Sequence, residues 1–404
     1  MIVAPDQLTL GEVFQKAGYR TGVIGKWHLG LGDGPIDWNG EIHPNPADIG
    51  FDYSFILPAT NDRVPCVYVE NGRVVHPDAN DPISVSYGKP VDAAAPGTAY
   101  PDGIEHPEAM TYYPSSHGHN NSVINGIGRI GYMKGGKQAL WDDEFMADTF
   151  VGKARAFIEE NRERPFFLHY CSQNIHVPRT PNPRFRGKSE LTYRGDSMAE
   201  LDWVAGELLD ALAANGLDKN TLVIFSSDNG PVYDDGYVDG TTVPTSTAEV
   251  DRGHDASGVL RGGKGQIFEG GNRVPLIVRW PEVIQPGVSD ALVTQVDFLA
   301  SFAALLHQDV PANAAQDSRN CLDALLGKDA TGSPMILEQA DRVAIRKGPW
   351  KYIEAPANAK KGKGAELYDI AADIGEQHNV IADHPDVAQE LAALLQTYRQ
   401  KGLR

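Results

Sequence analysis

The junction at which Leu222-Val223-Ile224-Phe225 gives way to Ser226-Ser227-Asp228-Asn229-Gly230 constrains this chain more than any other stretch. A short apolar run of that type predicts a buried strand. In open α/β sheets, ligands bind just beyond the carboxyl ends of such strands. Asp228 and Asn229 offer a carboxylate and an amide oxygen there, the hard donors that suit Ca²⁺ or Mg²⁺. Asp-Asn-Gly is equally ordinary turn chemistry, so these residues alone leave ligand and turn both open.

A second motif downstream narrows the choice. Arg261-Gly262-Gly263-Lys264-Gly265-Gln266-Ile267-Phe268-Glu269-Gly270-Gly271 sets a lysine between glycines, where backbone and cation can both approach an anion closely. Arg273-Val274-Pro275-Leu276-Ile277-Val278-Arg279-Trp280 then returns as a second strand. A metal corner and an anion-binding corner thus lie near each other in sequence. Gly258 to Lys264 has the spacing of a phosphate-binding P-loop, but Gly265 stands where that loop needs Ser or Thr, and no strand leads directly into it.

With 404 residues, 41% of them hydrophobic, the chain can bury a large core; one large and one small domain are expected. A net charge of −18 excludes nucleic acid as a partner held by bulk charge, since phosphate binding runs on Lys and Arg. An anionic substrate must be met by a local cluster of cations. Three cysteines, Cys66, Cys171 and Cys321, give neither a disulfide framework nor a zinc spacing. No apolar run is long enough to span a membrane, and Met1-Ile2-Val3-Ala4-Pro5-Asp6 lacks the pattern of a signal peptide.

Thr9 to Glu12 fits a capping box opening a short helix, after which residues 19–24 read as a strand that leaves Lys26 and His28 at its carboxyl end. Residues 30–133 are rich in Gly, Pro, Asp and Asn and predict extended loops and short strands, with a hairpin turning at Asn71-Gly72. Residues 142–160 have helical spacing, and residues 165–171 read as a buried strand with His169 in the core. His176 follows in a loop. Residues 196–214 predict an amphipathic helix with Leu201, Val204, Ala205, Leu208, Leu209 and Leu212 on one stripe. A further apolar helix is expected over 294–307, then a hairpin at 342–353, a strand at 366–369 and a terminal helix over 384–400. Lys360, Lys361 and Lys363 read as a solvated charge run.

Ser227-Asp228-Asn229-Gly230, then Arg261 to Lys264, Glu269-Gly270-Gly271 and Arg273-Val274-Pro275, together with Gly25-Lys26-Trp27-His28-Leu29-Gly30, resemble the sulfatase family of the alkaline phosphatase superfamily. The motifs stand in the family's order over nearly the whole chain. The resemblance implies an α/β fold, a large mixed sheet sandwiched by helices over residues 1–310. It also implies a small C-terminal α+β subdomain with an antiparallel sheet over 311–404, whose Leu367 to Val380 approximates a family ending. It further implies that Lys26, His176 and Lys264 contact a sulfate, that His28 supports the nucleophile, and that Asp228 and Asn229 hold a Ca²⁺ ion. Asn61, Asp62, Arg63, His117 and His119 are expected at the mouth of the pocket, although loop polar residues more often simply face water.

Relatives in that family carry an Asp-Asp metal pair and then a C-x-P-x-R motif whose Cys or Ser becomes formylglycine, the nucleophile. Neither stands here: Cys66, Cys171 and Cys321 lack the pattern, and Asp142-Asp143 and Asp234-Asp235 replace the pair poorly. The chain is therefore expected to start after the nucleophile segment. The resemblance implies a hydrolase of sulfate monoesters, on a sulfated small molecule or glycan, from a family usually periplasmic or secreted. A non-catalytic remnant that binds sulfated glycans is the rival from another class. A phosphoesterase on the same fold is disfavoured by the Lys-Trp-His and Gly-Gly-Lys-Gly motifs.

Overall fold

The computed structural model describes residues 1–241, 252–356 and 364–400. The charge run at Lys360 to Lys363 lies outside them. The chain divides into two compact units, residues 1–218 with 235–241, and residues 219–234 with 242–404. The divide expected at residue 310 falls inside the second unit.

In the first unit, α1 (Leu10–Lys16) is opened by the Thr9–Glu12 capping box, and β1 (Arg20–Lys26) follows. Then come β2 (Tyr53–Leu57), the hairpin β3 (Val69–Glu70) and β4 (Arg73–Val74), and short strands β5 (Ser84–Ser86), β6 (Val123–Ile124), β7 (Ile127–Gly128) and β8 (Tyr132–Lys134). The helix α2 (Met146–Glu160), β9 (Phe166–Cys171) and α3 (Thr192–Ala214) complete it. A five-stranded mixed sheet runs in the order β4-β3-β2-β1-β9. Strands β2, β1 and β9 are parallel, while β3 and β4 pair antiparallel. Asn71 and Gly72 both take left-handed backbone at the hairpin turn, as the Asn-Gly pair predicts.

The apolar core lies around the buried middle of β1 and β2, where Val23, Ile24, Phe55, Ile56 and Leu57 meet Phe150, Ala154 and Phe157 of α2. Gly22 is required at this packing, because a Cβ there would come 2.7 Å from the Phe157 ring.

The second unit contains β10 (Val223–Ser226), α4 (Glu269–Asn272), β11 (Leu276–Arg279), α5 (Phe298–Leu305), α6 (Leu322–Leu325), β12 (Ile336–Gln339), β13 (Val343–Lys347), β14 (Trp350–Ile353), β15 (Glu366–Asp369) and α7 (Pro385–Gln400). Strands β10 and β11 form an antiparallel ribbon. Strands β12 to β15 form the expected antiparallel sheet, and α7 packs Ala388, Leu391 and Leu395 against it. No helix among the described residues is long and apolar enough to cross a membrane.

The structure corrects three expectations. The run at 222–225 is not buried: Phe225 is 38% exposed and Ile277 of its partner strand 60% exposed, because a two-stranded ribbon has few neighbours to cover its faces. Strand β9 is only half-buried and His169 exposed, since β9 is the edge of its sheet. Helix α3 begins at Thr192, and of the expected stripe only Val204 and Leu212 are buried, Leu209 being 37% exposed. Its opening turns bury polar side chains instead. Asp196 accepts the backbone N–H groups of Gly187 and Ser189, while Glu200 accepts the Asn182 backbone N–H and the Asn174 side-chain amide.

Candidate active site

In the first unit, β1, β2 and β9 are parallel and paired so that Lys26 lies opposite Leu57 and Gly25 opposite Cys171. Their carboxyl ends therefore share one edge, and the three loops leaving that edge carry Lys26 and His28, Asn61 to Arg63, and His176. Gly25 permits the close packing beneath them: its φ is +112°, and a Cβ would come 1.9 Å from the carbonyl oxygen of Cys171.

Trp27 anchors the first loop. It is buried, its backbone N–H donates to Leu57 at 3.1 Å and its indole N–H to Gly30 at 2.7 Å. With Trp27 turned inward, Lys26 is half-buried and His28 exposed. Although its surface is open, partial desolvation by the surrounding loops comes first, and with the charges of Arg63 and Lys26 it pulls the His28 imidazole below its ordinary value; Asp62 opposes this and His176 adds to it. Lys26, Asp62, Arg63 and His176 thus all lie within electrostatic reach of His28.

His176 Nδ1 lies 2.7 Å from the Val177 carbonyl. A carbonyl only accepts, so Nδ1 carries a proton in this contact. The Asn61 side chain donates to the carbonyls of His176 at 3.4 Å and Pro178 at 3.1 Å, joining the β2 and β9 loops.

The residues expected at the mouth of a pocket sort into two groups. Asn61, Asp62 and His119 are buried, while Arg63 is half-buried and His117 exposed. Asp62 accepts from His119 Nε2 at 3.0 Å and from the Thr60 hydroxyl. Burial opposes its ionisation, but the His119 hydrogen bond, the charge of His176 and the Thr60 hydroxyl outweigh it and hold the carboxyl at about 2. His119 stacks on Tyr237, with ring centroids 4.3 Å apart.

Two buried arginines underlie this edge, and no motif marks either of them in the sequence. Arg129 donates to the Asn61 carbonyl at 2.5 Å and to Asp143 at 2.7 Å, so Asp143, a poor replacement for the metal pair, is an ion-pair partner. Arg179, three residues past His176, pairs with Asp239 at 2.6 Å and with Asp235. The signal available in sequence was each arginine's apolar or aromatic surroundings; its partners were not legible.

In the second unit, the Asp228-Asn229 turn and the Gly-rich segment that carries Lys264 are brought together. Gly230 N–H donates to the Gly271 carbonyl at 3.0 Å, and Lys264 N–H to the Pro231 carbonyl at 2.9 Å. A Cβ on Gly230 would come 1.8 Å from the Gly270 carbonyl oxygen, so the close approach of the Asp228-Asn229 turn to the Gly-rich segment demands glycine. Lys264 and Asp228 are exposed and Asn229 half-buried. The Asn229 amide nitrogen donates to Gly230 at 2.8 Å, and Oδ1 is the atom of that amide with lone pairs for a cation. Asp228 and Asn229 match a divalent ion in donor chemistry. Among the described residues, no group of three or more His, Cys, Asp or Glu is placed to hold a metal.

Lys26, His28 and His176 thus stand in one unit, and Asp228, Asn229 and Lys264 in the other. The sulfatase family profile matches residues 71–308, and the chain belongs to the sulfatase family. It is 48% identical to the N-acetylgalactosamine-6-O-sulfatase of Bacteroides thetaiotaomicron over 99% of this chain and 78% of that one. It is 28% identical to human arylsulfatase A over 96% of this chain and 70% of that one. A solved Bacteroides thetaiotaomicron 6S-sulfatase, from a locus for the metabolism of multiple glycosaminoglycans, superposes with a TM-score of 0.90. That match is 47% identical and covers 99% of this chain and 83% of the other. The family places the chain among the sulfuric ester hydrolases of the alkaline phosphatase-like fold.

Proposed function

We propose that this chain recognises a 6-sulfated amino sugar of the N-acetylgalactosamine 6-sulfate type, with Lys26, His176 and Lys264 as sulfate contacts and Asp228 and Asn229 as ligands of a Ca²⁺ ion. The observation that carries this reading is the set Lys26, His28, Arg63 and His176 gathered at one edge of the five-stranded sheet of a sulfatase-family protein. The sugar is taken from the 48%-identical relative.

Cleaving a sulfate monoester requires stabilisation of the equatorial oxygens and a proton for the departing alkoxide. Lys26 and Lys264 neutralise sulfate oxygens. The His176 imidazole, fixed by its Nδ1 contact to Val177, presents Nε2 to the bridging oxygen and donates the proton from there. His28, whose basicity is lowered by partial desolvation and by Arg63 and Lys26, is a neutral acceptor near pH 7, suited to support a nucleophile. When bound, a divalent ion at Asp228 and Asn229 supplies Lewis-acid polarisation of a sulfate oxygen. The family nucleophile is formylglycine, and no C-x-P-x-R motif occurs in these 404 residues.

A second reading is recognition of sulfated glycans without turnover. Titration calorimetry with N-acetylgalactosamine 6-sulfate, its 6-phosphate analogue and the unsubstituted sugar, in Ca²⁺ and in EDTA, tests recognition. The sulfated sugar is expected to bind at least ~10-fold tighter than the unsubstituted one, from the value of charge-assisted contacts. Equal affinities end the proposal, and preference for the phosphate ester turns it toward a phosphoesterase. Aryl sulfate hydrolysis by the 404-residue chain is expected to be negligible, and substantial turnover removes the second reading.

A further inference from the structure

Lys351 lies on β14 with none of its surface exposed. Lysine is almost never buried in this way without a partner. Three carboxylates from three separate segments surround its ammonium: Glu269 at 2.9 Å, Glu338 of β12 at 2.9 Å and Glu376 at 3.2 Å. The Glu269 contact is a well-aligned hydrogen bond. The inward oxygens Glu338 Oε2 and Glu376 Oε1 meet no aligned donor, so proximity to the lysine is what compensates their burial. Arg273 and Arg346 approach the other oxygen of Glu269, at 3.2 and 3.5 Å.

The identity of these carboxylates matters more than their number. Glu269 closes the Gly-rich segment that carries Lys264, and Glu376 stands in the Glu-Gln-x-Asn stretch near the C-terminus. The second oxygen of Glu376 accepts the Glu269 backbone N–H at 2.6 Å. Its carbonyl accepts Arg261 at 3.0 Å, and Arg261 opens the same segment. Both ends of the segment 261–271 are therefore tied to one residue. Asp341, in the turn between β12 and β13, holds the middle: its carboxylate accepts Ile267 N–H at 2.8 Å, and its backbone N–H donates to the Gly265 carbonyl at 3.2 Å.

A buried ion cluster is a poor device for raising stability, because well-packed apolar side chains of similar volume usually do as well or better. What it supplies is directional geometry. Ile267 anchors the middle of the segment in an apolar cluster with Ala344, Ile353, Tyr368 and Ile370, whereas Gly262, Gly263, Gly265, Gly270 and Gly271 leave its two ends without side chains to pack.

We propose that Lys351 is a positioning residue for the sulfate-binding lysine: through Glu269 and Glu376 it fixes the 261–271 segment, and with it Lys264 and the adjoining Asp228-Asn229 turn. The functional half of this proposal rests on the reading of Lys264 as a sulfate contact. The structural half does not.

Hydrogen exchange followed by mass spectrometry on the whole chain separates the two. Glu269→Gln removes the carboxylate that joins the segment to Lys351, keeps its volume and leaves Lys351 paired with Glu338 and Glu376. Amides in 261–271 are expected to exchange roughly tenfold faster in Glu269→Gln, from the loss of a charge-assisted hydrogen bond, while β12 to β15 keep their protection. Lys351→Met should exceed this, and Lys351→Arg should restore part of the protection by restoring the charge. Unchanged exchange at 261–271 in Glu269→Gln, or faster exchange only in step with β12 to β15, overturns the positioning role. The same Glu269→Gln protein is then titrated with N-acetylgalactosamine 6-sulfate. Weakened affinity beside a loosened segment supports both halves, whereas unchanged affinity beside a loosened segment overturns the assignment of Lys264 and leaves the positioning role standing.

Discussion

The cationic edge of the first unit and the Lys264 segment of the second present similar chemistry on opposite kinds of support. Lys26 sits at the end of a strand whose interior is wholly buried, with Trp27 locked beneath it. Lys264 sits in a run of glycines whose neighbouring ribbon exposes Phe225 and Ile277. In the first case apolar packing dictates where the cation goes, and polar groups fill in around it. In the second, ion pairs and backbone hydrogen bonds hold the two ends of the segment around one apolar anchor, the buried Ile267. A lysine that is to act as proposed needs a fixed backbone, and either source of rigidity serves.

Substitutions can break this contrast at several points. The largest effect is expected for Arg129→Met, which leaves Asp143 buried and uncompensated and frees the Asn61 backbone. Removing one partner of such a pair costs about 3–5 kcal/mol, read from urea denaturation. A loss below ~1 kcal/mol would mean that the edge does not depend on this buried pair.

Alanine at the two close-approach glycines sharpens the contrast. Gly25→Ala meets the Cys171 carbonyl at 1.9 Å from a left-handed backbone inside a packed sheet, so a global loss of about 3 kcal/mol or more is expected. Gly230→Ala meets the Gly270 carbonyl at 1.8 Å beside an exposed ribbon that can shift, so about 1–2 kcal/mol is expected, concentrated in local exchange at 261–271. Equal global losses would show that both supports are equally rigid.

Lys26→Ala and Lys264→Ala should each weaken binding of the sulfated sugar by roughly 10- to 100-fold, the value of one charge-assisted hydrogen bond, with little change in stability. An effect at only one of them would assign sulfate recognition to one unit.

The smallest effects are pH limbs of opposite sign. Asp62 is held at about 2 against an ordinary 3.8, so its contribution is present above pH 3.8 and is lost as pH falls toward 2. Asp62→Asn should flatten that acid limb. Glu376 is raised by burial to about 7 from an ordinary 4.5, with Lys351 and the Glu269 N–H opposing; it therefore favours the folded state below pH 4.5 and that contribution fades by pH 7. Glu376→Gln should gain stability relative to the parent as pH rises through that window. Chemical denaturation at stepped pH reads both, and two limbs of the same sign would contradict the contrast.

Much of the frame was legible from local signals. Asn71-Gly72 dictated its hairpin, the Thr9–Glu12 box its helix, and the 342–353 turn its strand pair. Strand β2 was not singled out, because Tyr53–Leu57 is a short apolar run inside a Gly- and Pro-rich stretch whose partner β1 is distant in sequence. Burial of β9 and β10 was overread for a similar reason: an apolar run says that a strand forms, and only its neighbours decide whether it is covered. Among the candidate residues, Lys26, His28, His176, Asp228, Asn229 and Lys264 stood out by motif and strand-end placement. Arg129, Arg179 and Lys351 did not, since an ion pair is a property of two positions, and Arg179 finds Asp235 and Asp239 56 and 60 residues away.

That clasp bears on how the molecule is made. Residues 235–241 belong to the first unit although residues 219–234 do not, so a nascent chain must deliver Asp239 from the ribosome before Arg179, and the His176 loop beside it, can reach their final state. A fragment ending at residue 218 would carry an interior guanidinium without the Asp235 and Asp239 counter-charges, and a protease cut within residues 219–234 would leave the clasp to be rebuilt from a separate piece of chain.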